Sequence, residues 1–487
     1  MSGQSGPIIR GDSSAGVDTK TSLCYKGETE RTMEQNYTDF LASKAQLRGY
    51  HGFDPVWMPD FLYDFQSLLV EWAVRKGRCA VFANTGLGKT PIQLVWAENV
   101  VRKTGGRVLI LTPLAVARQT SREAEKFGIE ALVSRDGGLP CNIVITNYER
   151  LHYFNPGDFV GVVCDESSAL KNFDGVRRAA ITEFMRRHPY RLLATATAAP
   201  NDYIELGTSS EALGELGFVD MLSKFFKKAE KTYTRRDEHR GDAWRFRGHA
   251  EQHFWSWVCS WARSIRTPSD MGCDDGPFIL PPLTINEHII EASRPRDGFL
   301  FEVPAVGLRE QREERRRTLA ERCEKAASLV NDTGEPAICW CHLNDEGDIL
   351  ERIIPDSAQV AGADSDDKKT DTIEAFIDGK IRVLVTKSRI AGWGLNLQHC
   401  AHQTFFPSHS WESWYQSVRR SWRFGQTKEV VVDVIASNGD AEVMANMNRK
   451  QDAADKMFEQ LVALMFDSME IQTEPYGGTK GKAPSWM

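Results

Sequence analysis

The residues ANTGLGKT at 83–90 have the types and spacing to cradle phosphate. They follow the apolar run CAVF and precede the helical pattern PIQLVWAENVV. Gly86 and Gly88 let the backbone curl so that successive N–H groups point at phosphate oxygens. The helix that follows would offer its positive N-terminal end to the same anion. Thr85, Gly86 and Gly88 would wrap a nucleotide's phosphates, Lys89 would reach the β and γ phosphates, and the Thr90 hydroxyl would ligate Mg2+. The pattern GxxxxGK[ST] is met except that Ala83 replaces its first glycine. About 75 residues further on, VVCDE at 162–166 ends an apolar run in two carboxylates. Asp165 would hold Mg2+, mainly through water, and Glu166 would orient or deprotonate the attacking water. Such a pair alone is as readily a helix N-cap. Its place behind a phosphate loop in one α/β block gives it meaning.

The second half carries a complementary set. In QSVRRSWRFGQ at 416–426, Arg420 and Arg423 lie three apart, which predicts one face of a helix with Gln416 a turn earlier. Two guanidiniums so placed could meet a γ-phosphate across a cleft and stabilise charge in phosphoryl transfer, although taken alone the stretch reads more readily as a solvated basic helix. AGWGLNLQ at 391–398 follows the run RVLVT; Gly392 and Gly394 permit close approach to a nucleic-acid phosphate or to the nucleotide. Between the halves, KKAEKTYTRRDEHRGDAWRFR at 227–247 interleaves positive charge with aromatics. Its cations could neutralise phosphates, and Trp244 and Phe246 could stack on bases, although solvated surface is an equal reading. Trp255, Trp257 and Trp261 read more readily as core than as a base platform.

These groups need rigid elements to hold them. Apolar runs at 79–83, 108–112, 142–146, 159–164 and 191–195 alternate with helical patterns, which predicts a parallel sheet covered on both faces. The alternation returns at 337–341, 382–386, 403–406 and 429–435. The expected organisation is a polar N-terminal extension at 1–50, a first α/β lobe at 51–215 and a mostly helical, basic insertion and linker at 216–330. A second α/β lobe at 331–445 and a C-terminal helical region and tail at 446–487 follow. Within them, 308–330 reads as a long charged helix and 441–470 as an amphipathic helix pair.

The order of these motifs resembles superfamily 2 helicases. ANTGLGKT and DESS at 165–168 look like motifs I and II; LTPL at 111–114, with Gln119 in the helix after it, and TNYERL at 146–151 look like motifs Ia and Ib. ATATAAPN at 194–201 looks like motif III, with Ala196 and a shifted Pro200 as departures. AGWGLNLQ looks like motif V, and the RFGQ ending of 416–426 resembles motif VI in its Swi/Snf form, as do DESSALKN and the segment DFQSLLVEWAVRKGR. The whole chain resembles the small Swi/Snf-like helicases of phages and prophages. The resemblance implies two RecA-like lobes facing across a cleft, ATP and Mg2+ as cofactors, and movement along DNA, duplex or single-stranded, driven by hydrolysis. By the same resemblance Gln66, about 20 residues before the phosphate loop, would read the adenine edge. Motifs Ia, Ib and V would grip nucleic acid on the opposite side. Two other functions fit the motifs: a nucleotide-switched binding or loading factor without motor activity, and an RNA helicase.

Composition bounds the rest. At 487 residues, 41% hydrophobic and 26% charged, the chain reads as about three globular domains. A net charge of −7 does not advertise nucleic-acid binding, but a motor needs only a local basic track. No apolar run approaches a membrane span, no secretory signal is evident, and ten scattered cysteines point to a reducing cytoplasm, as of a bacterial host. Cys339 and Cys341 sit in an apolar run and read as buried strand rather than zinc ligands. No nuclease motif is evident, so any cutting would need a partner protein; a separate nuclease or a replication protein is the expected partner.

Overall fold

The structure, a computed structural model, describes residues 51–114, 116–172, 175–199, 202–228, 244–290, 313, 315–392, 395–408, 410–437 and 440–473. The first lobe is built on β1 (Arg78–Ala83), β2 (Arg107–Thr112), β3 (Ala131–Val133), β4 (Ile143–Asn147), β5 (Phe159–Asp165) and β6 (Tyr190–Thr195). A short antiparallel hairpin follows, β7 (Phe226–Lys228) with β8 (Trp244–Phe246), and then β9 (Ala262–Ile265). The parallel sheet runs β3-β4-β2-β5-β6-β1-β9. In the second lobe β10 (Leu283–Ile290), β11 (Ala337–Cys341), β12 (Ser357–Val360), β13 (Val383–Lys387), β14 (His402–Phe405) and β15 (Val430–Ser437) form a parallel sheet in the order β10-β15-β14-β11-β13-β12.

Continuous apolar strands make sense here because both faces of each sheet are covered. Along β1, Ala80 and Phe82 enter one core while Cys79, Val81 and Ala83 enter the other. Along β11, Ile338 and Trp340 pack on one face; Ala337, Cys339 and Cys341 pack on the opposite one. Cys339 and Cys341 are thus buried strand residues, with thiols pushed up by burial to about 11 and about 12. The order of the strands brings the carboxyl ends of β1 and β5 together across β6. The phosphate loop leaves the first of these ends and the two acids leave the second.

The structure redistributes residues 216–330. The helix Ala250–Trp261 packs Trp255 and Trp261 into the first lobe's core, and β9 pairs with β1 at that sheet's edge. Further along, β10 pairs with β15 and so belongs to the second sheet. Its alternating sequence, LTINEHII, is an edge strand's pattern rather than a buried run. The helix Leu319–Thr333 lies inside the expected charged helix and its continuation. The C-terminal region is one helix, Ala441–Thr473, not the expected pair, because no glycine or proline interrupts its sequence. No helix among the described residues is long and apolar enough to cross a membrane.

Candidate nucleotide-binding cleft

The phosphate loop is a left-handed turn between β1 and the helix Lys89–Thr104. Gly86 has φ +92° and Gly88 has φ +75°, conformations that a side chain disfavours. Space is also short. A Cβ on Gly88 would lie 2.2 Å from Gln66 Nε2, and one on Gly86 would lie 2.8 Å from the backbone nitrogen of Phe424 in the second lobe. The Lys89 ammonium donates to the Ala83 carbonyl at 3.1 Å. Burial lowers its pKa first, opposed by Glu166 and Asp165 and reinforced by Arg420 and Arg423. Thr85 and Thr90 line the same cleft, which encloses about 540 Å3 between the lobes.

Asp165 closes β5 and accepts a hydrogen bond from Gln93 Nε2 at 2.7 Å. Burial, then the adjacent Glu166 charge, pushes its carboxyl up to about 6. Glu166 has φ +49°, a left-handed backbone that costs a side-chain-bearing residue about 1–2 kcal/mol. That twist turns its carboxylate away from the strand direction, where Thr195 Oγ1 donates to it at 3.1 Å. Tyr148 pins the same corner by donating to the Asp165 carbonyl at 2.6 Å.

From the second lobe, Arg420 donates through Nη2 to Gln416 Oε1 at 2.7 Å and through Nη1 to the Leu395 carbonyl at 3.3 Å. Arg423 donates to the same carbonyl at 3.1 Å, while its buried Nε–H has no partner among the described residues. Burial lowers the pKa of both guanidiniums, that of Arg420 to about 10, and Glu166 opposes the shift in each. One expectation is corrected here. The helix Trp411–Val418 ends before either arginine, and Arg420 and Arg423 sit in the turns that follow. They face the cleft because the turn folds back on Leu395, not because a helical repeat aligns them. Gln416 is in the last helical turn and also crosses the cleft, donating to Thr197 Oγ1 at 3.2 Å.

Gln66 lines the cleft with its amide already engaged: Oε1 accepts the Tyr63 N–H at 3.1 Å and Nε2 donates to the Leu87 carbonyl at 3.0 Å. Gly394 lies outside the described residues. So does 229–243, the centre of the basic stretch; Phe246, at its edge, packs 4.6 Å from Phe226 and 5.3 Å from Phe254. Four further side chains join the site. Gln93 stands one helical turn beyond Lys89, a spacing visible in the sequence. Thr195 and Thr197 fall within ATATAAPN. Glu412, which accepts from Thr197 Oγ1 at 3.3 Å, carries no signal in the sequence. A second interlobe cleft of about 750 Å3 is lined by Arg118, Gln119, Tyr148, Lys369, Arg389 and Asn396, among others. It draws on the segments expected to grip nucleic acid.

Lys89, Arg420 and Arg423 thus meet Asp165 and Glu166 in one cleft, with Lys126 and Glu123 also on its wall. The donor set fits a magnesium-bound triphosphate: a hydroxyl and a carboxylate for the metal, an amine and guanidiniums for the phosphates, and an N–H of Arg423 without an acceptor among the described residues.

No protein-family profile matches the chain. Among curated proteins it is similar to protein p41 of Acyrthosiphon pisum secondary endosymbiont phage 1, at 23% identity across 81% of this chain and 97% of that protein. Among solved structures it is similar to the Sulfolobus solfataricus SWI2/SNF2 ATPase core in complex with dsDNA. That likeness has a TM-score of 0.38 and 16% identity, over 86% of this chain and 97% of the other.

Proposed function

We propose that this chain is an ATP-hydrolysing motor of the Swi/Snf-like branch of superfamily 2, and that it moves along DNA. One observation carries the reading: Lys89, Thr90, Asp165 and Glu166 of one lobe and Arg420 and Arg423 of the other line a single cleft. ATP with Mg2+ supplies the phosphoanhydride bond and the charge that these residues are arranged to neutralise. Lys89 and the loop N–H groups would bind phosphate oxygens, and Thr90 and Asp165 would hold the metal. Glu166, steadied by Thr195, orients and deprotonates the attacking water. Arg420 and Arg423 reach the γ-phosphate only when the lobes are shut, so nucleotide binding favours closure and loss of the γ-phosphate favours opening.

Alternate closure and opening gives the second cleft its role. Arg118 on one wall and Lys369 and Arg389 on the other would hold a DNA backbone in turn, which produces stepping. The test is the ATPase rate with duplex DNA, single-stranded DNA and RNA. A motor accelerates severalfold with DNA, whereas a nucleotide switch or an RNA helicase does not. Triplex displacement beside strand displacement then separates duplex translocation, which we favour, from unwinding. Normal turnover in Lys89→Ala refutes the site.

A further inference from the structure

Three parts of the chain converge on Asn84, a loop residue with no assigned role. Its Oδ1 accepts the Thr85 backbone N–H at 2.8 Å and also the phenolic O–H of Tyr415 from the second lobe. Its backbone N–H donates to the Ile265 carbonyl at 2.9 Å and its Nδ2 to the Arg266 carbonyl at 3.4 Å, where β9 gives way to the segment leading to β10. Tyr415 is firmly held. Its ring stacks on Trp411 with centroids 4.9 Å apart, and the Arg419 guanidinium lies 5.3 Å from its centroid. Burial, opposed by Arg419, keeps the phenol above its ordinary pKa and therefore a donor. Tyr415 adjoins Gln416, which grips both Arg420 and Thr197.

We propose that Tyr415 is a positioning residue: by donating to Asn84 it sets the register of the second lobe against the phosphate loop, so that Arg420 and Arg423 arrive at the γ-phosphate. The proposal rests on reading the cleft as an ATPase site. Tyr415 acts through Asn84 and through the helix it shares with Gln416. The bond spans the two lobes, so it exists only when they are shut. Its loss therefore slows the closed complex without weakening the first lobe's hold on nucleotide.

The test uses the full chain carrying Tyr415→Phe, Asn84→Ala and both together. The readouts are kcat and KM for ATP with duplex DNA, and the thermal midpoint. Losing one neutral hydrogen bond is expected to lower kcat about 3- to 10-fold in Tyr415→Phe. KM stays within about twofold, the signature of an interaction made after nucleotide uptake, and the midpoint is unchanged. In the Asn84→Ala background Tyr415→Phe has no further effect, since the bond is already gone. A wild-type kcat in Tyr415→Phe, additive losses in the double variant, or a loss that follows the midpoint overturns the proposal. Should Asn84→Ala not fold, Tyr415→Phe decides alone through its split of kcat from KM. A wild-type chain without ATPase activity overturns the reading of the cleft and this proposal with it; an active wild type with an indifferent Tyr415→Phe overturns this proposal only.

Discussion

Replacing Gly86 by alanine tests whether the second lobe closes on the phosphate loop during turnover. Two costs follow from the geometry. At φ +92° a Cβ is disfavoured by about 1–2 kcal/mol, and this applies whether the lobes are open or shut. The second cost exists only in the closed arrangement. The new methyl would lie 2.8 Å from Phe424 N and 3.2 Å from Phe424 Cβ, and a backbone nitrogen cannot swing aside as a side-chain tip can. Overpacking of this kind costs about 1–3 kcal/mol. At about 1.4 kcal/mol per tenfold, the ratio of closed to open molecules falls about 5- to 150-fold. The assay is DNA-stimulated ATPase kcat beside energy transfer between dyes on the two lobes. Both should fall in Gly86→Ala. Gly128→Ala is the control, because φ there is +69° with nothing within 4 Å of the added carbon. A Gly86→Ala protein with wild-type energy transfer and wild-type kcat refutes the argument that the closed cleft is the working state.

Lys89→Ala and Arg423→Ala should each lose ATPase activity, the arginine by about 10^3- to 10^5-fold if it acts as an arginine finger, with unchanged circular dichroism. Burial and the Glu166 charge raise the Asp165 carboxyl to about 6, so activity at low magnesium should fall as the pH drops through 6. Added Mg2+, which favours the carboxylate, should move that limb downward in a pH–rate profile. The same shift has an opposite sign for the metal-free fold. A carboxyl raised from 3.8 to about 6 contributes stability at low pH that is lost as pH rises through 6, which thermal midpoints from pH 4 to 7 would register. Arg322 and Glu346 form an ion pair of 2.9 Å, 1% and 0% exposed, with Glu346 Oε2 also accepting from the His342 and Leu343 N–H groups. Glu346→Ala strands the guanidinium and should cost about 3–5 kcal/mol in denaturant unfolding.

The parts legible in the sequence are those where one local rule decides. Strands β1, β2, β5 and β11 are buried on both faces and appear as unbroken apolar runs. The phosphate loop shows because its glycines and lysine fall within four consecutive residues, Gly86 to Lys89. Strands such as β3, with three residues, and β12, with the sequence SAQV, are too short or too polar to leave a run. β9 and β10 were hidden for another reason. Their membership of opposite sheets is set by pairing with strands distant in sequence, β1 and β15. Motif order points to the arginines, but a spacing of three occurs in the turns after Val418 as well as in a helix and so does not fix their setting. Glu412 and Thr197 meet only because two lobes meet, which a linear reading cannot supply.

The C-terminal helix limits how the cleft can open. Met447 and Ala454 pack into the second lobe's core, while Met457, Phe458 and Leu461 pack into the first lobe's, and Met465 into the core on the other face of that sheet. At 1.5 Å per residue, the span from Met447 to Met465 is about 27 Å of one rigid rod. The segment between β9 and β10 links the two sheets covalently. Pulling the lobes straight apart would strip Phe458 and Leu461, at 7% and 2% exposure, from their core at about 25 cal/mol for each Å2 uncovered. Rotation about the seated helix leaves that surface buried. It breaks contacts at the far side: Thr197 with Glu412 and Gln416, Tyr415 with Asn84, Arg122 with Glu374 at 2.8 Å and Arg135 with Asp367 at 3.8 Å, together with the ring contact of Phe424 with Tyr63. The polar ones are contacts water can replace at small net cost. The apolar rod therefore makes the hinge, the polar seam makes the latch, and the guanidiniums of Arg420 and Arg423 travel with the seam.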